Sequence, residues 1–260
     1  MVEEKKLIIV PSPLDSRDWI GDSIYHSATT YPKTLDMRDC LQNIRNQGSQ
    51  GTCAAQSAAC MKEWQERKDI DFREYFSPQF IYNLRENSDS EGMYGRDVMR
   101  ILYKFGACPE KLYEYGRIEH KHNIINNKPV IESSSNHKIK HYAKLNTISS
   151  TKKALYQNGP CIICFPVYNE GVKMWIPKQD QEMKGGHAMT IVGYTTDSFI
   201  IRNSWGENWG DKGYCYYPFN EWGSHWEIWT TIDDESEKEK HPEEQKEPNT
   251  PKRRCPLSFW

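Results

Sequence analysis

The chain has 260 residues and a formal charge of −2 at pH 7, from 34 basic and 36 acidic side chains. That length suits one large domain or two small lobes around a cleft, and the near-neutral balance gives no reason to expect a nucleic-acid or membrane partner. Nine Trp, fifteen Tyr and eight Phe supply area for a core, and no apolar run approaches the length of a membrane span.

Residues 1–33 form a mixed leader with Pro11, Pro13 and Pro32 and no sustained helical period. Its apolar run, Leu7-Ile8-Ile9-Val10, is too short for a signal-peptide core, so export is not expected. Residues 34–115 read as helical. An alanine-rich segment from Cys53 to Arg67 has Cys60, Met61 and Trp64 as apolar positions, with Lys62, Glu63 and Glu66 as its polar side. Ser77-Pro78 opens a second helix. Val98, Ile101, Leu102 and Phe105 mark a third, stopped by Gly106.

Residues 116–141 are polar and predict a long connection. From 142 to 232 the pattern turns to short apolar runs, as in strands: Cys161–Phe165, Ala188–Val192, Ser198–Ile201, Gly213–Pro218 and Trp226–Ile232. A helical half followed by a strand-built half predicts an α+β architecture. Residues 233–254 carry eight acids and six bases with no large apolar side chain, a composition of disorder. The chain ends in the apolar tip Cys255-Pro256-Leu257-Ser258-Phe259-Trp260. All eight cysteines are scattered singly, which suits reduced, core-filling thiols in the cytoplasm or another reducing compartment, a virion interior included.

The chemistry-bearing residues are Cys53, His187 and Asn203. Cys53 follows the glycine-rich run Gln47-Gly48-Ser49-Gln50-Gly51-Thr52 and begins a helix, where the macrodipole stabilises a thiolate. A thiol acyl-transfer site also needs a base, a group that orients the base, and donors for the developing oxyanion. His187, in Gly185-Gly186-His187-Ala188, and Asn203, in Asn203-Ser204-Trp205-Gly206, are candidates for base and orienter. Gln47 can aim its amide at the oxyanion, with the Cys53 N–H as a second donor.

Three motifs, Gln-Gly-x-x-Gly-x-Cys, Gly-His-Ala-x-x-x-Val-Gly-Tyr and Asn-Ser-Trp-Gly-x-x-Trp-Gly-x-x-Gly-Tyr, occur in order. With them residues 34–232 resemble the papain-like cysteine peptidases. The interval from cysteine to histidine and asparagine, roughly 130–150 residues in that family, is also met. The resemblance implies a two-lobe fold with the active site in the cleft, and a cysteine endopeptidase acting on peptide or protein substrates without a cofactor or metal. It implies Cys53 as nucleophile, His187 as its ion-pair partner, Asn203 as orienter and Gln47 in the oxyanion hole. Trp205 would cover the Asn203–His187 bond, while Gly92, Cys164 and Gly186 would line the substrate cleft.

The chain departs from the family at Ala54, where tryptophan is usual, and at Gln50, where a half-cystine is usual. Residues 1–33 are expected to stand in place of the family's long helical propeptide. These features, with Leu14-Asp15-Ser16-Arg17-Asp18-Trp19 in the leader, look closer to the bacterial and viral branch than to lysosomal cathepsins. The leader is expected to lie across the cleft as a short inhibitory prosegment.

Plainer readings compete at other positions. Cys161 and Cys164 mimic a metal pair, yet residues three apart on a strand face opposite ways, so core packing is expected. His120, His122, His137 and His141 lie in a polar stretch without ordered carboxylates. Trp222, Trp226 and Trp229 are expected as core aromatics.

Overall fold

The computed structural model describes residues 6–25, 30–87 and 91–232. The charged tail and its apolar tip lie outside the described residues, as does any docking role for them. In chain order the elements are α1 (Gly21–Ile24), β1 (Leu35–Asp36), α2 (Cys53–Ile70), α3 (Pro78–Asn83), α4 (Gly95–Lys104), α5 (Lys121–Asn126) and α6 (Lys128–Ser135). Then follow β2 (His141–Leu145), α7 (Ile148–Asn158), β3 (Cys161–Val167), β4 (Gly185–Tyr194), β5 (Ser198–Arg202), β6 (Tyr214–Pro218) and β7 (Glu227–Ile232).

The second half is an antiparallel sheet in the order β2-β7-β3-β4-β5-β6, with β1 paired to β4 through Leu35↔Tyr194. One apolar cluster joins the helices, with Phe76, Phe80, Met99 and Leu102. A second fills the sheet half, with Ile163, Phe165, Ile191 and Tyr217. Strand β3 is buried along its length and serves both. Cys161 belongs to the sheet-half cluster and Cys164 to the helical one, as the two-residue period of a strand requires.

Helix α2 is the axis between the halves. It ends at Asp71 in the left-handed region, φ 56°. Its expected polar side is buried from Cys53 to Glu66. The cost of burying those charges is offset by one pair within the helix and by partners from distant segments. Lys62 Nζ meets Glu66 at 2.9 Å, Glu66 meets His137 Nδ1 at 3.2 Å, and Glu63 meets Arg45 at 2.9 Å. Helix α3 starts as expected, with Ser77 Oγ accepting from Phe80 N at 3.0 Å.

Two local expectations need correction. The polar stretch read as connection contains α5 and α6, anchored by Ile124 and Val130 in the helical core. The segment before β3 holds α7, opened by a capping box between Thr147 and Ser150. The cysteine expectation also fails at one position. Cys53, Cys60, Cys108, Cys161, Cys164 and Cys215 are free thiols, but Cys40 is disulfide-bonded. The four histidines do not gather: His122 faces Asn126, His137 pairs with Glu66 and His141 stacks on Trp19. Trp229 is fully buried, while Trp226 and Trp222 pack partly buried against the two cores.

Candidate active site

Backbone pairing brings the distant motifs together. Gln47 N donates to Ser204 O at 2.8 Å, Gly206 N donates to Arg45 O at 2.9 Å, and Asn46 bridges Trp205. The loop before Cys53 is thereby joined to the loop that carries Asn203. Gly48, at φ 61°, turns that loop in a conformation few side chains tolerate. Thr52 donates its hydroxyl to Tyr115 Oη at 2.8 Å, and Tyr115 donates to the Gln47 carbonyl at 2.8 Å. Both ends of the turn are fixed just before α2 begins.

Cys53 is the first residue of α2 and almost fully buried. Burial pushes its thiol up to about 11, against the pull of the backbone N–H groups of Ala188, Ala54 and Cys53 itself. The sulfur therefore reaches the Ala188 N–H on β4, the strand that carries His187, from the predicted helix start. The expected stabilisation of a thiolate is outweighed in this arrangement because water is excluded from the sulfur.

His187 is fully buried on β4, and its Nε2 lies 2.7 Å from Asn203 Oδ1. Ser204 N donates to that same oxygen at 2.7 Å. A backbone N–H can only donate, so the acceptor must be the oxygen of the carboxamide, and Nε2 must carry the hydrogen. The proton that His187 gains or loses is therefore the one on Nδ1. Trp205 lies on the imidazole, ring centroids 4.5 Å apart and planes at 33°, shielding the Nε2–H bond from water. Gln47 is buried at the same level. Its Oε1 accepts from Ser204 Oγ at 2.7 Å, and its Nε2 donates to Gln50 O at 2.9 Å, leaving that amide its second hydrogen.

The cleft is filled by residues 7–10 of the leader. Ile8 pairs with Gly186 and Val10 with Tyr94, both in parallel sense. Ile9 N donates to Gly186 O at 3.3 Å and Gly186 N to Leu7 O at 3.3 Å. A Cβ on Gly92 would stand 1.8 Å from Ile8 O, and one on Gly186 would stand 2.3 Å from Ile9 O. Only glycine lets the leader backbone approach so closely. The side chain of Ile9 is buried in the cluster that includes Cys53, Met93, Cys164 and Ala188. Of the expected cleft residues, Gly92 and Gly186 meet the leader backbone, while Cys164 shares the large apolar cluster with Ile9.

Two anchors hold the chain beyond that strand. Ser12 donates through Oγ and N to the buried Glu227 carboxylate, at 2.9 and 3.3 Å. Arg96 Nε donates to Asp18 at 2.8 Å. Sequence reasoning missed Ser12, Glu227 and Ala188, since none belongs to a local motif. Ser204 was visible inside Asn-Ser-Trp-Gly but had no role assigned to it.

Residues 31–230 match the model of the papain family of cysteine proteases. An uncharacterized peptidase C1-like protein of Acanthamoeba polyphaga mimivirus is 29% identical over 216 residues, covering 72% of this chain and 67% of that protein. A cysteine protease of Blomia tropicalis is 30% identical over 209 residues, covering 71% of this chain and 60% of that one. Among solved structures, xylellain, a cysteine protease from Xylella fastidiosa, superposes with a TM-score of 0.75 at 25% identity, covering 90% of this chain and 99% of its own. The helical half and antiparallel sheet are the two lobes of the papain-like α+β fold, and the relatives include viral and bacterial members.

Proposed function

The chain belongs to the papain family of cysteine proteases and is a peptide hydrolase, and we propose that it is an endopeptidase working through Cys53, His187 and Asn203 and held latent by residues 7–18. The observation that carries this reading is the buried His187–Asn203 bond, covered by Trp205, on the strand whose Ala188 N–H meets the Cys53 sulfur.

In the reaction the Cys53 sulfur attacks the scissile carbonyl as thiolate. The carbonyl oxygen becomes an oxyanion between the Cys53 N–H and the spare Nε2 hydrogen of Gln47. His187, protonated at Nδ1, delivers that proton to the leaving amine. A thioester remains on Cys53. The neutral Nδ1 then takes a proton from water as that water attacks the thioester carbonyl. The C–S bond breaks, and the acid leaves with the Cys53 thiolate and protonated His187 restored. Asn203 keeps Nε2–H fixed throughout, so only Nδ1 exchanges protons.

Latency follows from what the leader does to the thiol. The seated strand removes water from the sulfur and occupies the backbone edges of Gly92 and Gly186. Displacing it re-solvates the site and lets the helix start and imidazole favour the ion pair. Cys53→Ala is expected to abolish peptide hydrolysis, measured with a fluorogenic peptide; turnover by that variant would end the assignment. Removing the leader is expected to raise the cleavage rate. An unchanged rate would leave the peptidase in place and remove the latency.

A further inference from the structure

Behind the catalytic row lies a small cavity with about 10 Å³ open to the centre of a water molecule. Gln56, Ser57 and Cys60 line it from α2, Thr190 from β4, and Arg202, Asn203 and Ser204 from the end of β5, with Arg45 closing it. Gln56 and Cys60 lie three and seven residues past Cys53, on the helix face that carries the nucleophile. Three of these residues each present a buried polar atom with no protein partner: Asn203 Nδ2, Arg45 Nε and Gln56 Oε1. Asn203 and Gln56 are 3% and 4% exposed.

The other polar atoms of these side chains are occupied. Asn203 Oδ1 accepts from His187 and Ser204 N. The terminal nitrogens of Arg45 bind Glu63, Glu110 and Phe76 O. Those of Arg202 bind Gln42 O and Asn43 O. Two donors and one acceptor on the lining residues of one cavity are therefore left over, and none of them can be left unsatisfied cheaply.

We propose that a single water molecule occupies this cavity and makes Gln56 and Arg45 positioning residues for the catalytic imidazole. The inference rests on the reading of Asn203 as the group that orients His187. The water accepts from Asn203 Nδ2–H and Arg45 Nε–H and donates to Gln56 Oε1. Its second hydrogen faces the hydroxyls of Ser57 and Thr190. The size admits about one water. A cation is disfavoured by two guanidinium groups, and an anion by the Gln56 oxygen and the nearby Glu63. With both ends of the Asn203 carboxamide then held, its plane cannot rotate, and the direction in which Oδ1 receives the His187 hydrogen is fixed.

The test uses the full chain and needs no turnover, so its failure is separable from failure of the peptidase reading. A high-resolution crystal structure is expected to place one solvent peak about 2.7–3.2 Å from all three atoms. A bare cavity, or an anomalous peak there after bromide soaking, overturns the proposal. In proton NMR the His187 Nε2–H signal is identified by its loss in His187→Gln. Gln56→Leu removes the acceptor and is expected to speed exchange of that proton with solvent by at least about tenfold. Gln56→Glu keeps an oxygen at that position and is expected to leave the exchange rate within about twofold of wild type. Unchanged exchange in a folded Gln56→Leu overturns the positioning role. If that variant does not fold, the crystal structure still decides whether the water exists.

Discussion

The two sides of the seam between the lobes are built from opposite materials. On the front, residues 7–10 of the leader are held by main-chain contacts at Gly92 and Gly186 and by one buried aliphatic side chain, Ile9, with the polar anchors at Ser12 and Asp18 lying beyond them. On the back, Arg45 and Arg202 bind carboxylates and carbonyls from four separate segments. Main-chain pairing with one apolar anchor can be exchanged for another extended peptide at little cost. Buried ion pairs cannot be exchanged, since removing either partner strands the other. A seam that opens to substrate while holding Asn203 and Gln47 fixed needs both kinds of contact, one on each side.

The back gives the largest expected effect. Arg45→Met leaves Glu63 without its cation at a site where burial already raises that carboxyl. The variant is expected to lose about 3–5 kcal/mol of stability in urea unfolding. A loss under about 1 kcal/mol would mean that the buried pair is not what holds the back of the seam.

On the front, Ile9→Asp puts a charge in the apolar cluster and should unseat the strand without unfolding the lobes. The expected readout is alkylation of Cys53. With the leader seated, burial holds the thiol near 11, so the wild-type rate should keep climbing between pH 9 and 11. The variant is expected to react at least about tenfold faster at pH 7 and to reach its plateau at lower pH. Equal profiles would show that the leader does not control the sulfur.

Trp205→Ala tests the boundary between the two sides. It admits water to the His187–Asn203 bond, which bears charge in the ion pair. A hydrogen bond to a charged group contributes about 1.5–3 kcal/mol, so kcat of the leader-free enzyme is expected to fall about ten- to hundredfold. An unchanged KM would accompany that fall if Trp205 acts only through His187.

The front was more legible in the sequence than the back. Cys53, His187, Asn203 and Gln47 announce themselves through glycines and a helix start at fixed offsets, which are local signals, whereas Gly92, Cys164 and Gly186 rest on the family resemblance alone. Strands β3 to β7 were also readable, because each is a short apolar run between turn residues. The back was not legible, because burial of Lys62, Glu63 and Glu66 is decided by Arg45 and His137, which meet α2 only in the folded chain. The same cause hid the seat of the leader: Leu7-Ile8-Ile9-Val10 has no turn signal, and its partners are glycines 84 and more residues away. Helix α7 had a usable signal in Thr147 and Ser150 that the change to strand-like composition masked.

A site outside the seam sets the pH baseline for these measurements and has the smallest expected effect. His225 packs among Tyr217, Trp222 and Phe165 in the sheet lobe, where burial lowers its pKa to about 4. The unfolded chain would take up that proton near 6.5. As the pH falls from about 6.5 to 4, the unfolded state therefore binds a proton that the folded state refuses, and stability present above 6.5 is lost through that window. His225→Phe removes the group, so its melting temperature should decline less than wild type between pH 7 and 4.5. Parallel declines would mean that His225 is protonated in the fold.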